Sequence, residues 1–367
     1  IFFKNIMKFN KNIAFLPDLS PSIGLGHFER CKTLSMEFAK KNYNCFFFFP
    51  LTQKKLLKKH KNFLKIKYFD KYNLKNIFQK ILKYEIKIVI FDTYKKINNI
   101  ENFLNKNNIY VVSIDDHFYK HSSNIIISNK KDLNNKYIEK KDQIYCFGPE
   151  YTLVKGKKII NNIKSKKLNI LLHSGGSSIY QNCEIFTEST ISKINNYGFN
   201  LDILCTNKKS KIYINNILKK NKTSSNINII PFDYNLSNNL SKYNIVCGPA
   251  GTTTFESILK GCLTFSFQLF NDGRDDINSW YYLGNLMHLK YSEKNNKKIV
   301  NDCWDLIFNK FHKLKNILEK NSKVIDGYGP KRVSDIILKY YNKKKINIKK
   351  LDSKINFYKI NKCKIQN

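Results

Sequence analysis

The residues best equipped for chemistry in this chain stand in a few short islands. "GLGHFERC" (24–31) places Gly24, Gly26, His27 and Arg30 within seven positions. Glycines ahead of a helix let the backbone close on a ligand and present N–H groups to an anion. A histidine at such a helix start can take up a proton, which is the work of a general base. A turn histidine that only caps the helix is the plainer alternative. "CGPAGTTTFES" (247–257) ends a strand, turns through Gly-Pro-Ala-Gly and opens a helix with hydroxyl residues. The N–H groups and hydroxyls around Gly251, Thr252 and Thr253 suit a pyrophosphate. Glu256 falls near the end of that first turn, where a carboxylate can accept from two ribose hydroxyls. A capping box, with Thr253 capping and Glu256 at N3, is the alternative there. "LLHSGGSS" (171–178) offers Gly175, Gly176 and Ser177 as a second phosphate or nucleotide contact.

Two acidic stretches close strands in the first half. In "FDTY" (91–94) and "SIDDH" (113–117), Asp92, Tyr94, Asp115, Asp116 and His117 can surround the sugar part of a ligand. The paired aspartates raise the question of a metal, but one of them capping the following segment is the preferred reading, and no metal or other cofactor is expected. "FNDGRDDIN" (270–278) brings Asn271 and Asp272 to the same cleft, beside the pyrophosphate, with Arg274 pairing either with phosphate or with Asp275 or Asp276.

These islands stand out because the rest of the chain is so different. The 367 residues carry 65 basic and 28 acidic side chains, a formal charge of +37, yet only three of the basic residues are arginine: Arg30, Arg274 and Arg332. Lysine is spread along the chain beside Asn and Ile, as drift in an AT-rich genome produces on tolerant surfaces. A nucleic-acid binder clusters Lys with Arg on one element, so no nucleic-acid partner is expected. A positive surface still steers an anionic substrate. A non-enzymatic polyanion binder is the rival from another class, and it leaves the Gly and Arg islands unexplained. Nine cysteines stand singly, without a C-x-x-C pair, which fits reduced thiols and argues against zinc. No apolar run approaches the ~18–20 residues of a membrane span. The first sixteen residues are too broken by Lys and Asn for a signal peptide, and Met7 is a candidate start. The expectation is a cytoplasmic protein, not inserted in membrane, with a monomer as the working assumption.

The elements that must hold these islands alternate between apolar runs and helical spacing. "NIAFL", "NCFFFF", "FLKIKYF", "IKIVIF", "IYVVSI" and "NIIIS" read as strands, while Phe28, Cys31, Leu34 and Phe38 mark one helix face. After about residue 156 the pattern restarts with "LNILLHS", "LDILC", "INIIPF", "YNIVCG" and "LTFSF". Continuous apolar strands separated by helices predict parallel sheets covered on both sides. The expected fold is α/β: two Rossmann-like, doubly wound domains, residues 1–156 and 157–329, facing a central cleft. A return helix follows at 330–341 and a Lys-rich accessory tail at 342–367.

In order along the chain, G-x-G-H-x-x-R-C, D-x-Y, I-D-D, G-P-E-Y-x-L, G-G-S, G-x-x-G-T-T-x-x-E, an Asn-acidic pair and D-G-x-G-x-x-R resemble the UDP-2,4-diacetamido-2,4,6-trideoxy-β-L-altropyranose hydrolases of pseudaminic-acid biosynthesis and related spore-coat polysaccharide proteins. The resemblance spans roughly residues 10–340. It implies a glycosyltransferase-B-like (GT-B-like) fold that releases UDP from a UDP-sugar by inverting attack of water, without a metal. It also implies that His27 is the base and that Tyr94 and Asn271 hold the sugar and the water. Gly175, Gly176, Gly251, Thr252 and Glu256 match the UDP-binding turns. Three positions depart from the family pattern: Lys95 replaces a glycine, Asp272 a glutamine, and Ser178 an acidic residue. A UDP-sugar glycosyltransferase of the same architecture is the nearest alternative.

Overall fold

Strands that are apolar along their whole length need cover on both faces, and helices supply it here. The computed structural model describes residues 11–20, 24–57, 64–117, 119–130, 142–159, 167–175, 183–205, 208–221, 226–231, 236–269, 287–321 and 325–343. The chain divides into two compact units. One holds Ile1–Ser20, His27–Phe147 and Pro330–Asn367; the other holds Pro21–Gly26 and Gly148–Gly329.

In the first unit, β1 (Asn12–Pro17), β2 (Asn44–Pro50), β3 (Lys65–Phe69), β4 (Ile88–Asp92), β5 (Tyr110–Ile114), β6 (Ile125–Ser128) and β7 (Ile144–Phe147) form one parallel sheet in the order β3-β2-β1-β4-β5-β6-β7. Connections run through α1 (Gly26–Lys40), α2 (Leu74–Lys83) and α3 (Asn98–Lys106). Helix α1 buries Phe28, Cys31, Leu34 and Phe38, the face that the spacing predicts. Strand β2 uses its period of two: Phe47 and Phe49 pack toward Phe28, while Phe48 points into the opposite layer with Phe78 and Phe91. The phenylalanine run is therefore core. The unit is completed by the last helix, α9 (Gly329–Lys343), pinned by Lys41, which donates to Ser334 and pairs with Asp335 at 2.6 Å. Tyr341 adds an edge-on contact to Tyr110 of β5, with ring centroids 5.6 Å apart.

The second unit repeats the plan. Strands β8 (Asn169–His173), β9 (Asn200–Cys205), β10 (Ile227–Pro231), β11 (Ile245–Pro249), β12 (Leu263–Phe267) and β13 (Met287–Leu289) run parallel in the order β10-β9-β8-β11-β12-β13. They are joined by α4 (Glu184–Tyr197), α5 (Lys208–Lys220), the short α6 (Leu236–Asn239), α7 (Thr252–Leu259) and α8 (Lys297–Asn321). One side of the sheet is filled around Trp304, wholly buried, which packs on Phe265 and Phe308 at 5.1 Å each. Its indole N–H donates to Thr190 Oγ1 at 3.0 Å, so the largest core side chain leaves no unmet donor.

Two strands escape the sequence reading, β7 and β13. Each is a short edge strand, of four and three residues, too brief to show a period and flanked by polar chain. In both sheets the strand order reverses at one place, between β1 and β4 and between β8 and β11. Open α/β sheets bind ligands at the carboxyl ends of strands at such a switch point. Among the described residues no helix is long and apolar enough to cross a membrane.

Candidate functional site

At the switch point of the first sheet, β1 and β4 run side by side and end together, Pro17 opposite Asp92. Asp92 closes β4 and is wholly buried. A lone carboxylate there is costly unless every lone pair is met. Helix α1 meets them. His27 Nδ1 lies 2.5 Å from Oδ1 of Asp92, and Arg30 donates from Nη2 to Oδ1 and from Nε to Oδ2, each at 2.5 Å. The Cys31 thiol adds a weak donor to Oδ2 at 3.7 Å. Arg30 then turns its Nη1 to Asp116, at 2.8 and 3.1 Å from the two oxygens. His27, Arg30 and Cys31 of "HFERC" thus converge on Asp92, while Glu29 pairs with Lys32.

A ring nitrogen facing a carboxylate oxygen at 2.5 Å carries a proton, so Nδ1 donates to Asp92. Arg30 Nη2 stands 3.1 Å from Nδ1, a second donor directed at the same oxygen of Asp92. Nε2 makes no hydrogen bond among the described residues. Burial alone would raise the Asp92 carboxyl, but Arg30 and then His27 hold it below the ordinary carboxylate range. Asp116 is lowered as well, its burial overcome by Arg30, His27 and Lys130.

A second layer supports this first one. Asp18, just past β1, accepts from the Thr93 hydroxyl at 2.7 Å and from the Tyr94 backbone N–H at 2.8 Å, which fixes the loop after Asp92. The Tyr94 ring meets His27 edge-on at 4.4 Å and His117 at 4.8 Å. Lys95 lays its ammonium 4.0 Å above the Tyr72 ring. Asp115 caps the turn after β5, accepting from the backbone N–H of His117 and of Tyr119 at 2.7 Å each. Buried Glu101 accepts at 2.6 Å from Ser113 Oγ, His121 and the Ser122 N–H. His121 also lies 3.2 Å from Asp115, and these two carboxylates outweigh its burial and raise its pKa to about 9. A folded-state value above the ordinary ~6.5 means that this pairing stabilises fully below pH ~6.5 and is lost as pH rises through about 9. The melting temperature is accordingly expected to fall between pH 6.5 and 9.5, and to fall less in His121→Gln; equal slopes in the two proteins count against the pairing.

The second sheet carries its own turn at its own switch point. His173 ends β8, buried, and its Nδ1 accepts from the Gly175 N–H at 3.2 Å. Burial drives its pKa down to about 4, so the ring stays neutral and that acceptor persists. Neighbouring Gly248 in β11 approaches so closely that a Cβ would sit 2.4 Å from the His173 carbonyl oxygen and 2.7 Å from its ring. Gly248→Ala is expected to destabilise the protein by about 3 kcal/mol through this overlap, read as a lower denaturant midpoint; an unchanged midpoint contradicts it. Gly251 caps α7, and its N–H donates to Thr254 Oγ1 at 3.2 Å. The cap is therefore Gly251 with Thr254, and the alternative of a Thr253–Glu256 box does not form, because the helix begins at Thr252. Thr252 and Thr253 fall in the first turn, and Glu256 accepts from the Ser237 hydroxyl at 3.3 Å.

No family model matches the chain. An uncharacterized protein of Methanocaldococcus jannaschii is 27% identical over 267 residues, which are 68% of this chain and 54% of that protein. The chain thus spans about half the length of the curated relative it matches. Among solved structures, MurG of Acinetobacter baumannii is similar with a TM-score of 0.64 and 13% identity, over 89% of this chain and 99% of that one. The spinosyn rhamnosyltransferase SpnG gives 0.65 and 9%, over 89% and 99%. Anabaena Alr3699/HepE in complex with UDP and glucose gives 0.57 and 11%, over 90% and 100%. The fold is GT-B-like.

Within this GT-B-like fold the predicted residues separate into three groups. His27, Arg30, Asp92 and Tyr94 come together at the end of the first sheet, and Gly24 leads into α1 with φ +80°, a conformation that favours glycine. Gly26 opens α1, while Gly175, Gly251, Thr252, Thr253 and Glu256 sit on turns of the second unit's strands. Gly176, Ser177, Asn271 and Asp272 lie outside the described residues, as do Arg274 and Ser178. Arg30 and Asp92, expected among substrate contacts, face each other: Nε, Nη1 and Nη2 are all directed at carboxylates and Asp92 has no exposed surface. Sequence reasoning passed over Asp18, Glu101, His121 and His173. His173 alone carried a signal, standing directly before Ser-Gly-Gly.

Proposed function

We propose that the protein hydrolyses a UDP-activated diacetamido-trideoxyhexose to free sugar and UDP, for nonulosonic-acid biosynthesis of the pseudaminic type. The observation that supports this reading is the contact of His27 Nδ1 with Asp92 at the end of the sheet, and in this reading Nε2 is the nitrogen that accepts the proton. His27 takes a proton from water as the water oxygen bonds to the anomeric carbon. The bond from that carbon to the β-phosphate oxygen breaks, UDP leaves with the electron pair, and the configuration inverts. The Tyr94 ring, 4.4 Å from the imidazole, and Asn271, by the resemblance, hold the sugar and the water. Gly251, Thr252 and Thr253 at the start of α7, with Gly175, Gly176 and Ser177, take the pyrophosphate, where helix N–H groups stabilise charge on the leaving group. Glu256 and Asp272 serve the nucleotide and its ribose.

Transfer of the sugar to an acceptor is the second reading, favoured by the likeness to a rhamnosyltransferase. Incubation with the UDP-sugar and no acceptor separates the two. Stoichiometric free sugar and UDP support hydrolysis. UDP that appears only after an acceptor is added supports transfer.

A further inference from the structure

One donor of Arg30 bypasses Asp92 and runs to Asp116, two residues beyond the end of β5. We propose that Arg30 and Asp116 are positioning residues for His27: the guanidinium braces the ends of β4 and β5 together, keeps the Asp92 carboxylate aimed at Nδ1, and so reserves Nε2 as the acceptor. This rests on the reading of His27 as the base. The bracing follows from the fork. Arg30 offers Nε and Nη2 in parallel to both oxygens of Asp92, an arrangement only a planar guanidinium makes, while Nη1 points the other way to a second carboxylate.

Charge balance argues the same way. Asp92, Arg30 and the Tyr94 ring touch the imidazole, Cys31 reaches Asp92 from α1, and Asp116 after β5 is paired with Arg30 and also feels Lys130 after β6. For both carboxylates, Asp92 and Asp116, Arg30 is the largest favourable charge and His27 the next, so the guanidinium carries most of the neutralisation that would otherwise fall on the imidazole. Without Arg30, buried Asp92 would keep the histidine and the weak Cys31 thiol as its partners. The ring would then hold a second proton, or Asp92 would take one; either change removes the neutral ring that donates from Nδ1.

The test joins a rate to a spectroscopic state. Ring-nitrogen NMR of histidine-labelled protein at neutral pH, with His27 identified by its absence in His27→Gln, is expected to show a neutral ring protonated on Nδ1. Arg30→Gln is expected to lose that signature. With the UDP-sugar, Arg30→Gln is expected to lower kcat roughly ten- to hundredfold while KM stays within about twofold. Asp116→Asn, which keeps the side-chain shape, is expected to show the same split at smaller size. An unchanged signature in folded Arg30→Gln overturns the proposal. So does a loss that falls on KM in either variant, since that marks direct contact with substrate. Should the wild type release no UDP, the hydrolytic reading fails while the NMR comparison, which needs no substrate, still decides the bracing.

Discussion

Asp92→Asn is expected to lower UDP release roughly a thousand- to ten-thousandfold with UDP affinity nearly unchanged. Asparagine keeps the shape but turns an NH2 group toward donors that need an acceptor. Oδ1 of Asp92 now receives both His27 Nδ1 and Arg30 Nη2, and Oδ2 receives Arg30 Nε and the Cys31 thiol. With one oxygen left for four donors, the imidazole loses its fixed acceptor, and the tautomer with the proton on Nε2 becomes accessible. A ring in that state cannot accept a proton from water. Initial rates and UDP titration calorimetry check both halves of the expectation. A loss confined to UDP affinity contradicts it, because Asp92 is buried behind the histidine.

The second large effect is on stability. Glu101→Ala is expected to cost about 3–5 kcal/mol, the scale for removing one partner of a buried ion pair. Glu101 has no exposed surface and accepts from Ser113 Oγ, His121 and the Ser122 backbone. Its removal leaves His121 with Asp115 alone and leaves the Ser122 N–H without its carboxylate. Denaturant unfolding reads the loss, and a change under about 1 kcal/mol would show that the cluster is dispensable. Because Asp115 also caps the turn that carries Asp116 and His117, UDP release should decline with stability in this variant.

The strands were legible because this sequence concentrates Ile, Val, Leu and Phe wherever both faces are covered. β4 and β5 show it plainly, with every residue buried. The edge strands β7 and β13 were not legible, since three or four half-covered residues carry no pattern. The glycine islands were legible for a related reason. A drifting, lysine-rich chain keeps glycine where a side chain has no room, as at Gly248 beside His173. The meaning of Arg30 was not legible. An arginine near glycines suggests an anion, and only the fold, which brings Asp92 and Asp116 against Arg30, shows that the anions are the protein's own. Glu101 and His121 gave no signal, because their pairing joins residues twenty positions apart across a helix and a loop.

The most direct measurement compares wild type with His27→Ala for UDP release from UDP-2,4-diacetamido-2,4,6-trideoxy-β-L-altropyranose, without acceptor or added metal, alongside UDP affinity for both proteins. The account predicts release by the wild type, its loss in the variant, and equal UDP affinity in the two. Equal release from both proteins would remove His27 as the base, and no release from either while UDP binds would contradict the hydrolysis itself.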